Sequence, residues 1–458
     1  MATLFPHSDS FSFFFVTFIS LAVLSHRHPS ATAAAGCQAP PVIFNFGDSN
    51  SDTGGLVAGL GYLVGLPNGR LFFRRSTGRL CDGRLLIDFL CNSSSSRSRL
   101  APARSRQTIK AFPIRRSRPD RRDPVPDFSS SFATSASIRS RPDRKQLDPI
   151  GVSSRPVRVQ LAVHPSWWSG FNKHLGNVIA DSAGQSLNTS LLRPYLDSLG
   201  ESKFQNGANF AIVGSTTLPR NVPFSLNIQL MQFLHFKSRS LELASTSSKP
   251  TSSQIIFVSA LFLINDLDWS QHCGFLRSIK GEVHKREWIQ KRIRLYDEGG
   301  RRFWIHNTGP LGCLPQKLSM AQRKDLDQHG CLASYNAAAK LFNQMLDHMC
   351  EKLRIELRDA TIIYIDIYAI KYSLIANSKG YGFERPLMAC CGYGGSPYNY
   401  NSKITCSPRG ANVCDKGSRF VSWDGIHYTE TANAIVAMKV LSMQYSKPKA
   451  PFDFFCRR

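Results

Sequence analysis

Short runs of apolar residues alternate along the chain with stretches of helical period. The runs at residues 42–46, 255–264, 303–307 and 361–368 predict buried strands. Between the last two runs, apolar residues recur at steps of three and four, which predicts an amphipathic helix with the stripe Leu332, Tyr335, Ala339, Phe342, Leu346, Met349 and Leu353. Alternation of this kind predicts an α/β fold, a three-layer α/β/α sandwich with a central parallel sheet.

The N-terminal region has the pattern of a secretory signal peptide. Residues 11–24 form an apolar run, and small residues in an A-x-A pattern follow at 31–35. We therefore predict a signal peptide over residues 1–35, with a buried strand as the alternative interpretation. No other apolar run approaches about 18 residues, so the mature protein is expected to be secreted, without a membrane span.

Residues 92–185 depart from the strand and helix pattern because they are rich in Arg, Ser and Pro. The chain carries 57 Lys and Arg against 32 Asp and Glu, a net charge of +25. Residues 97–158 contribute sixteen of those cations and five Asp. Such a composition buries too little apolar surface to offset ordering entropy, which predicts a mostly disordered basic insert. Nucleic-acid binding is the alternative, but the signal peptide and the lack of stacking aromatics among the arginines disfavour it.

The cysteines fit an oxidising compartment. Four of the twelve lie close together near the C-terminus, at Cys390, Cys391, Cys406 and Cys414. No C-x2-C pair occurs, so disulfides are favoured over a zinc site, with the connectivity left open. The sequons at Asn92 and Asn188 are candidate glycan sites.

Two segments carry candidate chemistry. Ser49 follows the first predicted strand in the segment Gly47-Asp48-Ser49-Asn50, so it is expected at the carboxyl edge of the sheet. Asp424 and His427 lie three residues apart, just before a helix predicted to begin near Thr429. A serine needs a base to become nucleophilic, and the base needs a carboxylate to orient it. His306 has no carboxylate at a useful spacing, and we interpret it as structural.

These motifs together resemble the plant GDSL-type esterases/lipases of the SGNH hydrolase superfamily. The resemblance rests on GDSNSDTGG, DGIHYT, and four further segments: residues 76–84, 207–211, 307–313 and 390–394. It covers about residues 40–91 and 186–445. The predicted hydrolase domain comprises residues 36–91 and 186–445, interrupted by the insert and followed by a tail at 446–458. The resemblance implies a secreted, monomeric hydrolase of small-molecule, cell-wall or lipid esters in the cell wall or apoplast.

The resemblance also implies the role of each site residue. Ser49, Asp424 and His427 would form the catalytic triad, with no metal or organic cofactor. The backbone N–H groups of Ser49 and Gly214 and the Asn265 side chain would form the oxyanion hole. Leu263 stands where the family has glycine, and this departure leaves a catalytically impaired binding protein as an alternative. An acyltransferase using the same serine is a variant that the sequence does not distinguish from a hydrolase.

Overall fold

A computed structural model of the chain describes residues 37, 40–91, 187–197, 204–216, 224–245, 261–264, 294–322, 325–404, 406 and 410–456. All of them belong to the first of two compact units, which comprises residues 1–95 and 171–458. The second unit, residues 96–170, lies outside the described residues. The predicted signal peptide and the predicted basic insert also lie outside them. Both therefore remain predictions.

The strands and helices follow one another in the order expected of an α/β fold. The strands are β1 (Ile43–Phe46), β2 (Gly207–Asn209), β3 (Leu261–Ile264), β4 (Arg302–His306), β5 (Thr361–Ile365), β6 (Cys391–Gly392), β7 (Asn412–Val413) and β8 (Ser446–Lys447). The helices are α1 (Gly55–Leu60), α2 (Leu86–Cys91), α3 (Leu226–Ser245), α4 (Pro315–Met320), α5 (Ala333–Glu356), α6 (Ile367–Ala376) and α7 (Glu430–Leu441). Short 3-10 helices span Leu311–Cys313 and Phe452–Phe455.

Six of the strands form one sheet in the order β2-β1-β3-β4-β5-β8. The first five pair in parallel, and β8 pairs antiparallel with β5 at the edge. The carboxyl ends of the parallel strands therefore lie along one edge of the sheet. Strands β6 and β7 form a separate antiparallel pair.

Apolar side chains of the sheet divide between two hydrophobic clusters because successive strand residues point to opposite faces. Ile43, Trp304 and Ile363 belong to the cluster that contains buried residues of α2, α6 and α7. Phe44 and Ile305 belong to the other cluster, which contains buried residues of α3 and α5. Continuous apolar runs in the sequence thus correspond to strands that are buried on both faces.

The run at residues 361–368 was expected to be one strand, and this expectation is wrong at its C-terminal end. Strand β5 stops at Ile365, and α6 begins at Ile367. Asp366 causes the change of structure, since its carboxylate accepts a hydrogen bond from the Ala369 N–H as the helix N-cap. Periodicity alone does not distinguish a buried strand from the first turn of a buried helix.

The C-terminal tail predicted for residues 446–458 packs onto the domain wherever it is described. Ser446 and Lys447 form β8. Cys456 is joined by a disulfide to Cys37, 419 residues earlier in the chain. The C-terminal region therefore closes the sheet edge beyond β5.

His306, at the end of β4, is a buried histidine whose ring nitrogens have no hydrogen-bond partner among the described residues. Its ring contacts Trp304 edge-on, with the ring centroids 5.1 Å apart. Burial, and secondarily the charge of Lys371, lowers the pKa of His306 to about 3. The neutral ring is therefore the form that the fold accommodates.

Replacement of His306 by Phe is expected to weaken the acid sensitivity of the fold. The unfolded state binds a proton at His306 below about pH 6.5, whereas the folded state does so only near pH 3. Across this window the free energy of unfolding falls with decreasing pH by up to about 1.4 kcal/mol per pH unit from this residue. Urea unfolding at pH 7 and pH 4.5 should show a smaller loss of stability for His306→Phe than for the wild type. An equal loss in both proteins would contradict the assignment.

Candidate active site

Asp424 and His427 are in direct contact on the loop that precedes α7. The Asp424 Oδ2 atom lies 2.6 Å from His427 Nδ1. The other carboxylate oxygen accepts hydrogen bonds from the backbone N–H groups of His427, at 2.8 Å, and Ile426, at 3.0 Å. The spacing D-x-x-H therefore closes into a compact turn in which the carboxylate orients the imidazole.

The environment of Asp424 favours its ionised form. Burial by itself raises the pKa of a carboxyl group. The charge of His427 and the hydrogen bonds that the carboxylate accepts outweigh that effect, so the pKa of Asp424 is lowered from its ordinary value. An ionised carboxylate at this position can stabilise a protonated imidazole.

The geometry of this turn depends on Gly425. Its φ angle is +97°, and a Cβ atom there would lie 2.4 Å from the Tyr400 ring. The same turn is anchored to its surroundings, since the Gln316 N–H donates to the Gly425 carbonyl at 3.0 Å. Thr429 ends the turn by capping α7, its hydroxyl accepting from the Ala432 N–H. This confirms the helix start expected near Thr429.

A disulfide-linked segment also supports the loop. The Cys391 N–H donates to the Trp423 carbonyl at 2.6 Å. Trp423 is fully buried, and its indole N–H donates to the Asn68 side chain. The expected disulfides are confirmed here, with the pairs Cys390–Cys414 and Cys391–Cys406.

Ser49 lies in a tight, buried turn directly after β1. It is 3% exposed. The neighbouring Asp48 accepts a hydrogen bond from the Asn50 N–H at 2.8 Å, and its carbonyl accepts from the Ser51 N–H at 3.2 Å. The serine is thus fixed at the carboxyl edge of the sheet, as its position after a strand predicted.

A small cavity of about 20 Å³ borders both candidate segments, although neither Ser49 nor His427 is among its lining residues. Its walls include both chain neighbours of Ser49 and both chain neighbours of His427. The full lining comprises Asp48, Asn50, Thr308, Gly309, Pro310, Leu311, Leu314, Lys371, Ile426 and Tyr428. Segments separated by more than 370 residues in sequence therefore border the same space.

Asn209, at the end of β2, holds the Ser49 turn from the neighbouring strand. Its side-chain amide donates to the Ser51 carbonyl at 2.7 Å and to the Thr53 hydroxyl at 2.9 Å. Its side-chain oxygen accepts from the Asn45 amide at 2.6 Å and from the Ala211 N–H at 3.0 Å. The motif at residues 207–211 thus positions the serine turn.

Gly214, which follows β2, has a left-handed backbone conformation. Its φ angle is +75°, and no atom of the described residues lies within 4 Å of the position a Cβ would occupy. The preceding Val213 N–H donates to Asp52 Oδ2 at 3.0 Å. The other Asp52 oxygen accepts from the N–H groups of Gly54 and Gly55. Asp52 therefore ties the Gly214 segment to the turn that carries Ser49.

Asn265, the remaining oxyanion candidate, lies outside the described residues. The backbone of the preceding β3, which includes Leu263, is described and pairs in register with β1 and β4. Among the described residues there is no cluster of His, Cys, Asp and Glu that would hold a metal ion.

Comparison with known proteins gives the family. The profile of the GDSL-like lipase/acylhydrolase family matches residues 168–440. The chain is 58% identical to the GDSL esterase/lipase LIP-4 of Arabidopsis thaliana over 100% of both chains. A second GDSL esterase/lipase of Arabidopsis thaliana is 54% identical over 100% of both chains. An esterase of Hevea brasiliensis is 30% identical over 99% of this chain and 97% of its own length.

The chain belongs to the GDSL-like lipase/acylhydrolase family. Its profile match begins after the Ser49 segment, whereas the alignments with the two Arabidopsis proteins extend over the whole chain. The family resemblance inferred from GDSNSDTGG and DGIHYT is thereby confirmed.

Lys371 of this family member is a site residue that the sequence did not indicate. It lies on α6, is 5% exposed and lines the cavity. Its ammonium group lies 4.3 Å from the centroid of the Tyr428 ring, a cation–π contact beside His427. The sequence feature that could have indicated Lys371 is the presence of a lysine within the apolar segment IYAIKYSLIA of α6.

Gln229 on α3 is the second residue that sequence reasoning missed. Its side-chain oxygen accepts from the Gly47 N–H at 3.0 Å. Its amide donates to the Gly47 carbonyl at 2.7 Å and to the Ser215 hydroxyl at 2.9 Å. The sequence feature that could have indicated Gln229 is a glutamine within the apolar stripe of Leu226, Leu230 and Phe233. In the structure this glutamine is fully buried.

Gln229→Met is expected to destabilise the GDSL domain and to reduce its ester turnover. The change keeps the side-chain volume but leaves the buried N–H and carbonyl of Gly47 without their side-chain partner, a cost of about 1–3 kcal/mol. Because Gly47 precedes the serine turn, kcat should fall as well.

Gln232→Met is the matched control for this substitution. It lies on the same helix, but its side-chain oxygen is buried without a hydrogen-bond partner among the described residues. Urea unfolding and turnover of p-nitrophenyl acetate should therefore be unaffected or slightly improved by Gln232→Met. Equal effects of the two substitutions would argue against a positioning role for Gln229.

Proposed function

We propose that this chain is a secreted serine ester hydrolase that cleaves carboxylic esters through an acyl-enzyme on Ser49. The observation that carries the proposal is the 2.6 Å contact between Asp424 and His427, beside a cavity that the neighbours of Ser49 also line. Membership in the lipase/acylhydrolase family supports the same chemistry.

In the first step, the Ser49 hydroxyl oxygen attacks the ester carbonyl carbon while His427 accepts the hydroxyl proton. Asp424 accepts the hydrogen bond from Nδ1, so Nε2 is the nitrogen that serves as base. The tetrahedral intermediate collapses when the C–O bond to the alcohol breaks, and His427 returns the proton to the leaving oxygen. The product of this step is an acyl-Ser49 ester and a free alcohol.

In the second step, water replaces the alcohol. His427 takes a proton from the water, and the water oxygen attacks the acyl carbon. The bond between the acyl carbon and Ser49 Oγ then breaks. The proton goes to Ser49, and the carboxylic acid leaves. An alcohol in place of water would give acyl transfer by the same residues.

Negative charge on the carbonyl oxygen would be held by the N–H groups of Ser49 and Gly214 and by the Asn265 amide. The hydrogen bond from the preceding Val213 N–H to Asp52, which ties the Gly214 segment to the Ser49 turn, supports the role of Gly214. Each donor of such an oxyanion hole contributes about 10²–10³ in rate. The roles of Leu263 and Asn265 in this group rest on the sequence alone.

We also propose that the protein is exported and that its domain is a three-layer α/β/α sandwich. Four disulfides among the described residues support an oxidising compartment. Asn188 is exposed, which supports glycosylation at that sequon. No helix in the described part of the chain is long and apolar enough to cross a membrane. The parallel strand pairs and the two hydrophobic clusters support an α/β/α sandwich.

A fluorophosphonate probe is expected to label Ser49 and no other serine. Labelling needs both nucleophile and base, so Ser49→Ala and His427→Ala should each abolish it. His306→Ala should not, since the ring nitrogens of His306 have no carboxylate or other hydrogen-bond partner among the described residues. Intact-mass and peptide mass spectrometry locate the label. A folded protein that stays unlabelled at Ser49 would favour the non-catalytic binding protein.

Asp424→Asn is expected to lower kcat by about 10³–10⁴, because an amide does not hold the imidazole in the reactive tautomer. The backbone hydrogen bonds from Ile426 and His427 to the side-chain oxygen should persist, so the fold should remain intact. Turnover of p-nitrophenyl acetate and the circular dichroism spectrum measure the two effects. Asp415→Asn, an exposed residue nearby in sequence, is the control and should retain wild-type turnover.

A further inference from the structure

Residues 68–82 contact both candidate catalytic segments, and we call them the bridging segment. They include most of the motif STGRLCDGR, to which the proposed acyl transfer gives no role. The Gly69 N–H donates to the Cys81 carbonyl at 2.8 Å. The Leu71 N–H donates to the Asp82 carbonyl at the same distance. The two ends of the bridging segment are therefore joined to each other.

One part of the bridging segment is bound to the chain just after Ser49. The Arg79 guanidinium donates to the Thr53 carbonyl at 3.2 Å. Two further bonds of 2.8 Å join the same guanidinium to the carboxylate of Asp88, and both side chains are buried. The Thr53 hydroxyl also accepts a hydrogen bond from Asn209. The bridging segment is thus fixed to the stretch of chain that carries the serine.

Another part of the bridging segment is bound to Trp423, the residue that precedes Asp424. The Asn68 side-chain oxygen accepts from the indole N–H at 2.9 Å. The Arg70 guanidinium lies over the face of the indole ring, 5.2 Å from its centroid, which is a cation–π contact. The bridging segment therefore contacts this ring both at its edge and at its face.

Arg70 also binds the disulfide-linked segment that supports the Asp424 loop. One terminal nitrogen of its guanidinium donates to the Cys414 carbonyl at 2.7 Å. The other terminal nitrogen lies 3.4 Å from the sulfur of Cys390 and 3.3 Å from the sulfur of Cys414. The next residue, Cys391, donates its N–H to the Trp423 carbonyl. Arg70 therefore contacts the tryptophan ring and also the segment that binds the tryptophan backbone.

Trp423 is joined to the imidazole of His427 by a short hydrogen-bonded turn. The Trp423 N–H donates to the His427 carbonyl at 2.7 Å. Asp424, inside this turn, accepts from the His427 N–H and orients the ring through Nδ1. A shift of the indole would therefore move the aspartate and the histidine together, relative to Ser49.

A guanidinium is suited to making all of these contacts at once. It is planar, so it stacks on an aromatic ring while its N–H groups donate to acceptors. A lysine ammonium is a compact point charge without a planar face. The chemistry of Arg70, as well as its charge, therefore matches the tryptophan ring and the disulfide-linked segment.

We propose that Arg70 is a positioning residue for Asp424 and His427. It acts on them through Trp423, while Arg79 fixes the same bridging segment to the chain that carries Ser49. The bridging segment thus sets where the imidazole lies relative to the serine. This inference rests on the proposed function for the roles of Ser49 and His427 in ester cleavage.

Arg70→Met tests the proposal because it removes the guanidinium and keeps an unbranched side chain. With p-nitrophenyl acetate, kcat should fall by about ten- to a hundredfold, since misplacement of a reacting group by about 1 Å can cost about 10² in rate. KM should change much less, because Arg70 does not line the cavity beside the serine turn. Arg70→Lys keeps the charge without the planar face, so its kcat should lie between those of wild type and Arg70→Met. The lysine variant carries the comparison if Arg70→Met does not fold.

Arg301→Met is the matched control. Its guanidinium also lies over an aromatic ring, 4.0 Å from the centroid of Tyr296, and donates to the Tyr296 carbonyl at 2.8 Å. Arg301 precedes the first residue of β4, so it lies at the opposite edge of the sheet from Ser49. Urea unfolding should show a loss of stability in both methionine variants, whereas kcat should fall only in Arg70→Met. Equal kcat values in the two variants would overturn the positioning role.

Proton NMR of the full chain separates this inference from the proposed function. The Nδ1 proton between His427 and Asp424 should give a downfield resonance, which Asp424→Asn identifies by removing it. Arg70→Met should shift or broaden this resonance, and Arg301→Met should leave it unchanged. If Arg70→Met also leaves it unchanged, the positioning role is wrong even when wild type cleaves the ester. If the resonance responds to Arg70→Met but wild type cleaves no ester, the positioning role stands and the hydrolase proposal fails.

Discussion

The turn that carries Ser49 is buried, and the need to satisfy its backbone polar groups constrains the surrounding structure. A buried N–H or carbonyl without a partner costs about as much as the loss of a hydrogen bond. Here the partners are side chains from distant segments. Asn209 reaches the turn from β2, and Gln229 reaches it from α3. The pairing of β1 with β2 and the packing of α3 on the sheet are therefore coupled to the position of the serine.

A similar constraint applies at Asp424 and His427. Both are largely buried, so a charge on either is tolerated only with a partner in place. The turn supplies that partner locally, within three residues. The disulfide-linked segment and the cap of α7 then fix the turn against the domain. Local pairing and long-range anchoring together explain why a short motif holds its geometry on a loop.

The sequence predicted those strands and helices whose bounds depend on residues close together in the chain. The end of β1 at Phe46, the end of β4 at His306, the helix α5 and the start of α7 follow from apolar periodicity and capping residues. The contact between Asp424 and His427 follows from their spacing. The resemblance indicated which distant segments belong to one site, since neither periodicity nor spacing relates Ser49 to His427.

Local sequence patterns could not identify the residues that act through tertiary contacts. Gln229 and Lys371 are single polar residues on apolar helix faces, and their partners are set by packing. The end of β5 was misplaced because Asp366 is a helix cap only if the chain turns there. The lack of a hydrogen-bond partner for the His306 ring among the described residues could be found only in the structure, since a missing partner is a property of the folded state.

Several polar atoms whose burial is least compensated lie along one edge of the sheet. Ser51 Oγ lies after β1, the His306 ring ends β4, and Tyr368 Oη follows β5. Natural sequences that violate the rule of satisfied buried polar groups do so mainly where function requires it. In a parallel sheet the carboxyl edge is where ligands bind, because the strand ends and loops leave space there. These atoms therefore lie at the same edge of the sheet as the turn that carries Ser49.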